Sequence, residues 1–236
     1  MEDAILITGI GRRIGLQLAR RFLDRGMSVV GTFRTERKSH EELRAGGADL
    51  HYCDFYDDSQ IPFLARSVAK NCTSLRAIIH NASDWLPDTA DLPPEDIMRR
   101  MMQVHVTAPY RLNIALTPLL EASTAEQSDI IHVGDYVSGR GSKKHIAYAA
   151  SKAAQDNLTL SFAASLAPRI KVNSVAPALM LFNDDDPSDY REKALAKSLL
   201  RREGGLEEFQ RAVDYLLESS YVTGRVLHLD GGRHLA

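Results

Sequence analysis

The chain is poor in the features that would give it away quickly. Among 236 residues there are two cysteines and one tryptophan, and the charges nearly cancel, 29 basic against 31 acidic. Two cysteines, Cys53 and Cys72, form neither a metal-ligand cluster nor a redox pair, so both are expected to be reduced and structural. Histidines 105, 132 and 145 lack metal-ligand spacing, and Asp184, Asp185 and Asp186 read as a solvated acidic loop. No metal site is expected. The balanced charge gives no broad positive field for nucleic acid or an anionic membrane. No apolar run approaches the roughly 18 residues of a spanning helix, and the start "MEDAILITG" is acidic where a signal peptide would be basic. A cytoplasmic protein acting on a small ligand is expected.

What is present is an alternation. Seven short apolar runs, "AILIT", "SVVGTF", "DLHYCD", "LRAIIHNA", "DIIHVGD", "IKVNSVAP" and "RVLHLDG", are separated mostly by segments of helical period. Strands apolar on both faces between helices predict an α/β fold, a doubly wound parallel sheet covered by helices on both faces, with ligands at the carboxyl edge. Residues 1–236 read as one domain. Phe182 to Glu203, an acidic loop and a short helix, interrupts the pattern and is a candidate lid at about 182–203.

The first strand runs into "TGIGRRIG", a glycine turn feeding a helix, where backbone and helix N-terminus can hold a pyrophosphate. Gly9, Arg12, Arg13 and Ile14 are its candidate cofactor contacts. The second strand ends "TFRTERK". It lacks the acid that binds a free ribose 2′-hydroxyl and offers Arg34, with Thr35 beside it, which favours NADPH over NADH. Asp54 and Phe55 at the third strand end, and Asn81, Ala82 and Ser83 at the fourth, lie along the same edge. Asp54 and Asn81 also suit turns that satisfy their own backbone. Further on, "YAASK" sets Tyr148 one helical turn before Lys152, and an acid, Asp135, stands thirteen residues ahead of the tyrosine. A lysine beside a tyrosine favours the tyrosinate and is expected to lower its pKa.

With these motifs, "APAL" after "VNSV" and the terminal "VTGRVLHLDGG" in order, the chain resembles the short-chain dehydrogenase/reductases over nearly its whole length. The resemblance implies a Rossmann-type sheet of seven parallel strands, a Tyr148/Lys152 pair that also contacts cofactor, cofactor contacts at Pro177 and Leu179, and a homotetramer. Three places depart from the family: Arg13 replaces a turn glycine, Asp135 a serine, and His105 a helix asparagine. Arg13, Asp135 and "NASDW" are similar to the pteridine reductase branch, which reduces 7,8-dihydropterins and in some members dihydrofolate. Asp135, Tyr148 and Lys152 are then the catalytic candidates. Arg13, Ser83, Trp85, Asp135 and Tyr148 are the candidate contacts to a pterin, with Trp85 stacking on its ring. Without a basic groove for a polyglutamate tail, a compact substrate such as dihydromonapterin is favoured. The competing readings are an NADPH-dependent ketone reductase and a nucleotide-sensing regulator without turnover.

Overall fold

Alternation along the first strand divides the core in two. In β1 (Ala4–Ile7) the side chains of Ala4 and Leu6 enter one apolar cluster, and those of Ile5 and Ile7 enter the other. This is the two-residue period of a strand with both faces covered. The computed structural model describes residues 1–236. Its other strands are β2 (Val29–Phe33), β3 (Asp49–Tyr52), β4 (Leu75–His80), β5 (Ser128–Val133), β6 (Ile170–Pro177) and β7 (Val226–Leu229). All seven are parallel and form one sheet in the order β3-β2-β1-β4-β5-β6-β7. The expected architecture is therefore the observed one.

The helices are α1 (Arg13–Asp24), α2 (Lys38–Ala45), α3 (Gln60–Asn71), α4 (Pro94–Met102), α5 (Ala108–Glu121), α6 (Ile146–Leu166), α7 (Ser188–Leu195) and α8 (Leu206–Glu218). Residues of α3, α5 and α6 pack into the cluster that holds Leu6, and residues of α1, α2 and α8 into the one that holds Ile5. The chain reverses direction across the sheet between β1 and β4, the place where a doubly wound sheet opens a crevice at its carboxyl edge. Two local features shape that crevice. Between α4 and α5 the helix widens to π-helical geometry over Gln103–Thr107, which places His105 inside the protein. After β5, Asp135 adopts an extended backbone and its carboxylate caps a short 3-10 turn, Tyr136–Gly139, by accepting the Val137 N–H at 2.9 Å.

Candidate active site

The strand ends and the glycine turn enclose a cleft of about 350 Å3. Its walls include Gly9, Arg12, Arg13, Ile14, Arg34, Thr35, Asp54, Phe55, Asn81, Ala82, Ser83, Asp135, Tyr148, Lys152 and Pro177, so most of the residues expected from sequence converge. Arg37, Asp84 and Val104 join them without having been singled out. Leu179 does not line it. The chain turns after Pro177, and Leu179 faces a second cavity with Met180, Leu200 and Arg233.

The turn that follows β1 is built for close approach. Gly9 has φ +74°, and a Cβ there would lie 2.9 Å from the Ala82 Cα; one on Gly15 would lie 2.2 Å from the Gly9 carbonyl oxygen. Asn81 fixes this junction from the other side, its amide donating to the Thr8 and Gly9 carbonyls at 3.0 and 2.9 Å. Arg13 occupies the left-handed region at φ +51°, at a cost of about 1–2 kcal/mol for a residue with a side chain. Its guanidinium donates to the Leu181 carbonyl and to Asn183 Oδ1, both at 2.7 Å, linking the glycine turn to the segment after β6.

A narrow cradle with four arginines at its rim, Arg12, Arg13, Arg34 and Arg37, fits a phosphorylated dinucleotide. Arg34 stands at the end of β2 where the 2′-phosphate reader is expected. It makes a loose ion pair with Asp84 at 3.3 Å and lies over the Tyr56 ring at 5.2 Å. Asp54 lines the cleft and also holds its own turn, Oδ1 accepting the Tyr56 N–H at 3.0 Å. The turn reading of Asp54 is thus observed, and its place on the cleft wall leaves it in reach of a cofactor.

At the far end of the cleft the Tyr148 hydroxyl donates to Asp135 Oδ2 at 2.8 Å. Lys152, fully enclosed, donates to the Val133 carbonyl at 2.8 Å and to Gln155 Oε1 at 3.3 Å. The four-residue spacing brings tyrosine and lysine to one face of α6, the ammonium 5.8 Å from the ring centroid. Burial pushes the lysine down to about 8, against the pull of Asp135 and Asp156. The expectation that Lys152 lowers the tyrosine is overturned. Burial first, and then the Asp135 carboxylate that accepts its hydrogen bond, hold the Tyr148 phenol well above its ordinary value. Burial also raises Asp135, although the Val137 N–H, Tyr148 and Lys152 favour its charged form. Tyrosine and acid are thus a proton-retaining pair.

Trp85 does not enter the cleft wall. The residue is 62% exposed, and the indole meets His145 edge-on with centroids 3.9 Å apart. The loop turns it outward because Asp84 Oδ1 accepts the Trp85 N–H and Oδ2 accepts from the Tyr56 hydroxyl. His105, whose role the sequence left open, is wholly buried between Ser83 and Ser151. Its partners come from segments distant in sequence, so no local signal marked them.

Residues 9–234 match the family model described as enoyl-(acyl carrier protein) reductase. Dihydromonapterin reductase from Klebsiella pneumoniae is 51% identical over 231 residues, covering 98% of this chain and 96% of that protein. The Enterobacter protein of the same name is 52% identical over 234 residues, covering 99% and 98%. Among solved structures, alternative dihydrofolate reductase 1 (FolM) from Brucella canis, complexed with NADP, superposes with a TM-score of 0.86 at 27% identity, covering 99% of this chain and 94% of that one. The RhlG/NADP complex from Pseudomonas aeruginosa superposes at 0.87 with 26% identity, covering 98% and 96%.

Proposed function

This chain belongs to the short-chain dehydrogenase/reductase family, and we propose that it is an NADPH-dependent reductase of 7,8-dihydropterins, with dihydromonapterin as the preferred substrate and dihydrofolate as a secondary one. The observation that carries the reading is the Tyr148–Asp135 hydrogen bond of 2.8 Å on the cleft wall. A ketone needs a donor to its oxygen. A dihydropterin presents amide and amino donors as well, which a carboxylate accepts.

NADPH, when bound, supplies the hydride that C6 of the N5=C6 imine accepts. The chain's own residues provide the rest. Gly9, Arg12, Arg13, Ile14, Arg34, Thr35, Asp54, Phe55, Asn81, Ala82 and Pro177 form the cofactor wall, with Arg34 and the additional Arg37 reading the 2′-phosphate. Lys152 holds the ribose and keeps positive charge close to the tyrosine. N5 takes the proton that the Tyr148–Asp135 pair retains, so hydride and proton add across the imine and the pair is refilled from water. Ser83 and Arg13 contact the pterin. The segment 182–203 serves as the lid, a role supported by the Arg13 bonds to Leu181 and Asn183.

The assembly is read as a homotetramer. Tyr110 and Ile114 of α5 and Leu160 of α6 expose apolar side chains, a surface that a second copy would cover. Two buried, unpaired cysteines support a reducing compartment, the cytoplasm. No helix is long and apolar enough to cross a membrane.

The test is NADPH oxidation with dihydromonapterin, dihydrobiopterin, dihydrofolate and simple ketones. Turnover restricted to ketones overturns the assignment. Cofactor choice is tested by Arg34→Asp, which should weaken NADPH by about 1.5–3 kcal/mol through lost charge-assisted bonds, with NADH affected far less. Equal losses for both would reduce Arg34 to a structural residue.

A further inference from the structure

His105 stands where the short-chain reductase pattern usually has an asparagine, and its surroundings determine where its proton sits. Nδ1 is 2.8 Å from Ser151 Oγ, and Nε2 is 2.8 Å from Ser83 Oγ. Each hydroxyl has one hydrogen to give. Ser151 gives its hydrogen to the Tyr148 carbonyl at 2.7 Å, so towards His105 it can only accept, and Nδ1 carries the N–H. Burial, and next the Lys152 charge, keep the imidazole neutral, which leaves Nε2 a bare lone pair. Ser83 must donate to that lone pair. Two other acceptors neighbour Ser83: the Asp84 carbonyl at 3.4 Å is too distant to compete well, and the Tyr148 hydroxyl oxygen has a hydrogen of its own, whereas the bare Nε2 has no other donor.

Ser83 therefore reaches the cleft with its hydrogen already used. We infer that His105 is a positioning residue which, held by Ser151, turns the Ser83 hydroxyl into a dedicated acceptor for a substrate N–H and so selects a nitrogen heterocycle over a carbonyl compound. The inference deepens the dihydropterin reading and rests on it. On the cleft wall Ser83 and Asp135 are then both acceptors in the neighbourhood of the Tyr148 hydroxyl. A heterocycle bearing amide and amino hydrogens satisfies them. Ser83 is open to solvent in the free protein, but a ketone seated in the cleft would cover its lone pairs and, having an oxygen that only accepts, would leave them without a partner. A polar group unmet on binding is the stronger source of discrimination.

The test is a double-mutant cycle. A histidine's Nδ1 lies at the position of an asparagine amide, and its Nε2 at that of a glutamine amide. His105→Asn keeps the Ser151 contact and loses Ser83, whereas His105→Gln keeps a partner for Ser83. Ser83→Ala and His105→Asn should each raise the dihydropterin KM about tenfold, the loss of one hydrogen bond that orients substrate. Each should leave the NADPH Kd unchanged. The double variant should be no worse than either single one, because both break the same chain, and His105→Gln should recover most of the loss. Losses that multiply in the double variant, or a His105→Asn enzyme with lower thermal stability and an unchanged KM, would overturn the inference. A wild-type enzyme that turns over only ketones overturns the dihydropterin reading before any variant is made; one that turns over dihydropterin but shows independent losses overturns the hydroxyl chain alone.

Discussion

Strand β5 has a fully buried aspartate at its amino end and a partly buried one just past its carboxyl end, and the two are treated in opposite ways. Asp129, at the amino end, pairs with Arg76 of β4 and, at 2.9 Å, with Lys171 of β6. Lys171 also donates to the Leu216 carbonyl at 2.7 Å, and Arg76 to that of Leu217 at 2.7 Å, so the cluster ties three strands to the end of α8. Asp135, just past the carboxyl end, makes no ion pair; its oxygens meet one backbone N–H and one phenol. The first acid has charges that balance it and no room to react. The second is desolvated without a cation in contact, which keeps its proton affinity high and its chemistry available. The contrast matches the polarity of a parallel sheet, with ligands at the carboxyl edge and structure at the other.

The largest effect should come from breaking the balanced end. Asp129→Ala leaves Arg76 and Lys171 unpaired where side chains are mostly or wholly enclosed, and should cost about 3–5 kcal/mol of stability. Urea unfolding measures this directly. A loss under 1 kcal/mol would mean that the two cations find water or carbonyls and that the cluster is not structural.

Asp135→Asn should do the reverse. The amide oxygen can still accept the Val137 N–H, and an uncharged group no longer pays for desolvation, so stability should hold or rise. Turnover should fall about 10²–10³-fold, equivalent to about 2.7–4 kcal/mol of barrier, because the proton shared with Tyr148 is lost. An active variant of lowered stability would erase the distinction between the two acids.

Midway between these ends, His80 and His132 are register partners on β4 and β5 with rings stacked at 5.2 Å. Burial pushes His80 down from 6.5 to about 4, and His132 also falls well below its ordinary value. Between those limits the unfolded chain binds a proton that folded His80 refuses. Stability contributed by neutral His80 is therefore complete above the unfolded value and declines as pH falls from 6.5 towards about 4. The slope should reach about 1.4 kcal/mol per pH unit for each histidine. His80→Gln should flatten it by one proton's worth in denaturation followed against pH; an unchanged slope would locate acid sensitivity elsewhere.

The sequence made the sheet legible because short, mostly apolar runs alternate with segments of helical period along the whole chain. It also made Tyr148, Lys152 and Asp135 legible, since spacing along one helix and one strand end survives folding. What it hid depends on segments meeting. The Tyr148 shift has the opposite sign to the expected one because burial, set by tertiary packing, and then the Asp135 carboxylate dominate it. Leu179 was lost to a turn that carries it to the second cavity. His105 was readable only as a departure, for its two serine partners lie 22 and 46 residues away.

Trp85 is the sharpest case, and testing it should give the smallest effect. Sequence reasoning puts the indole on the substrate; the structure puts it against His145, the residue that precedes α6. The same loop is fastened to that helix a second time, where Asp88 accepts the Ile146 N–H at 2.8 Å and its own N–H donates to the Lys144 carbonyl at 3.0 Å. Tyr148 follows two residues after Ile146. An anchor at this place would act on the reacting hydroxyl by holding the first turn of α6, whereas a stacking ring would act on substrate affinity. Trp85→Ala should then cost about 0.5–1.5 kcal/mol, the worth of an aromatic contact beyond area burial, and it should appear as lower thermal stability with a modest fall in kcat. Trp85→Phe should restore most of it. A dihydropterin KM raised tenfold, at unchanged stability and unchanged NADPH affinity, would show instead that the ring leaves His145 to cover the substrate during turnover, and the carboxyl edge would then owe part of its specificity to a side chain that stands outside the cleft at rest.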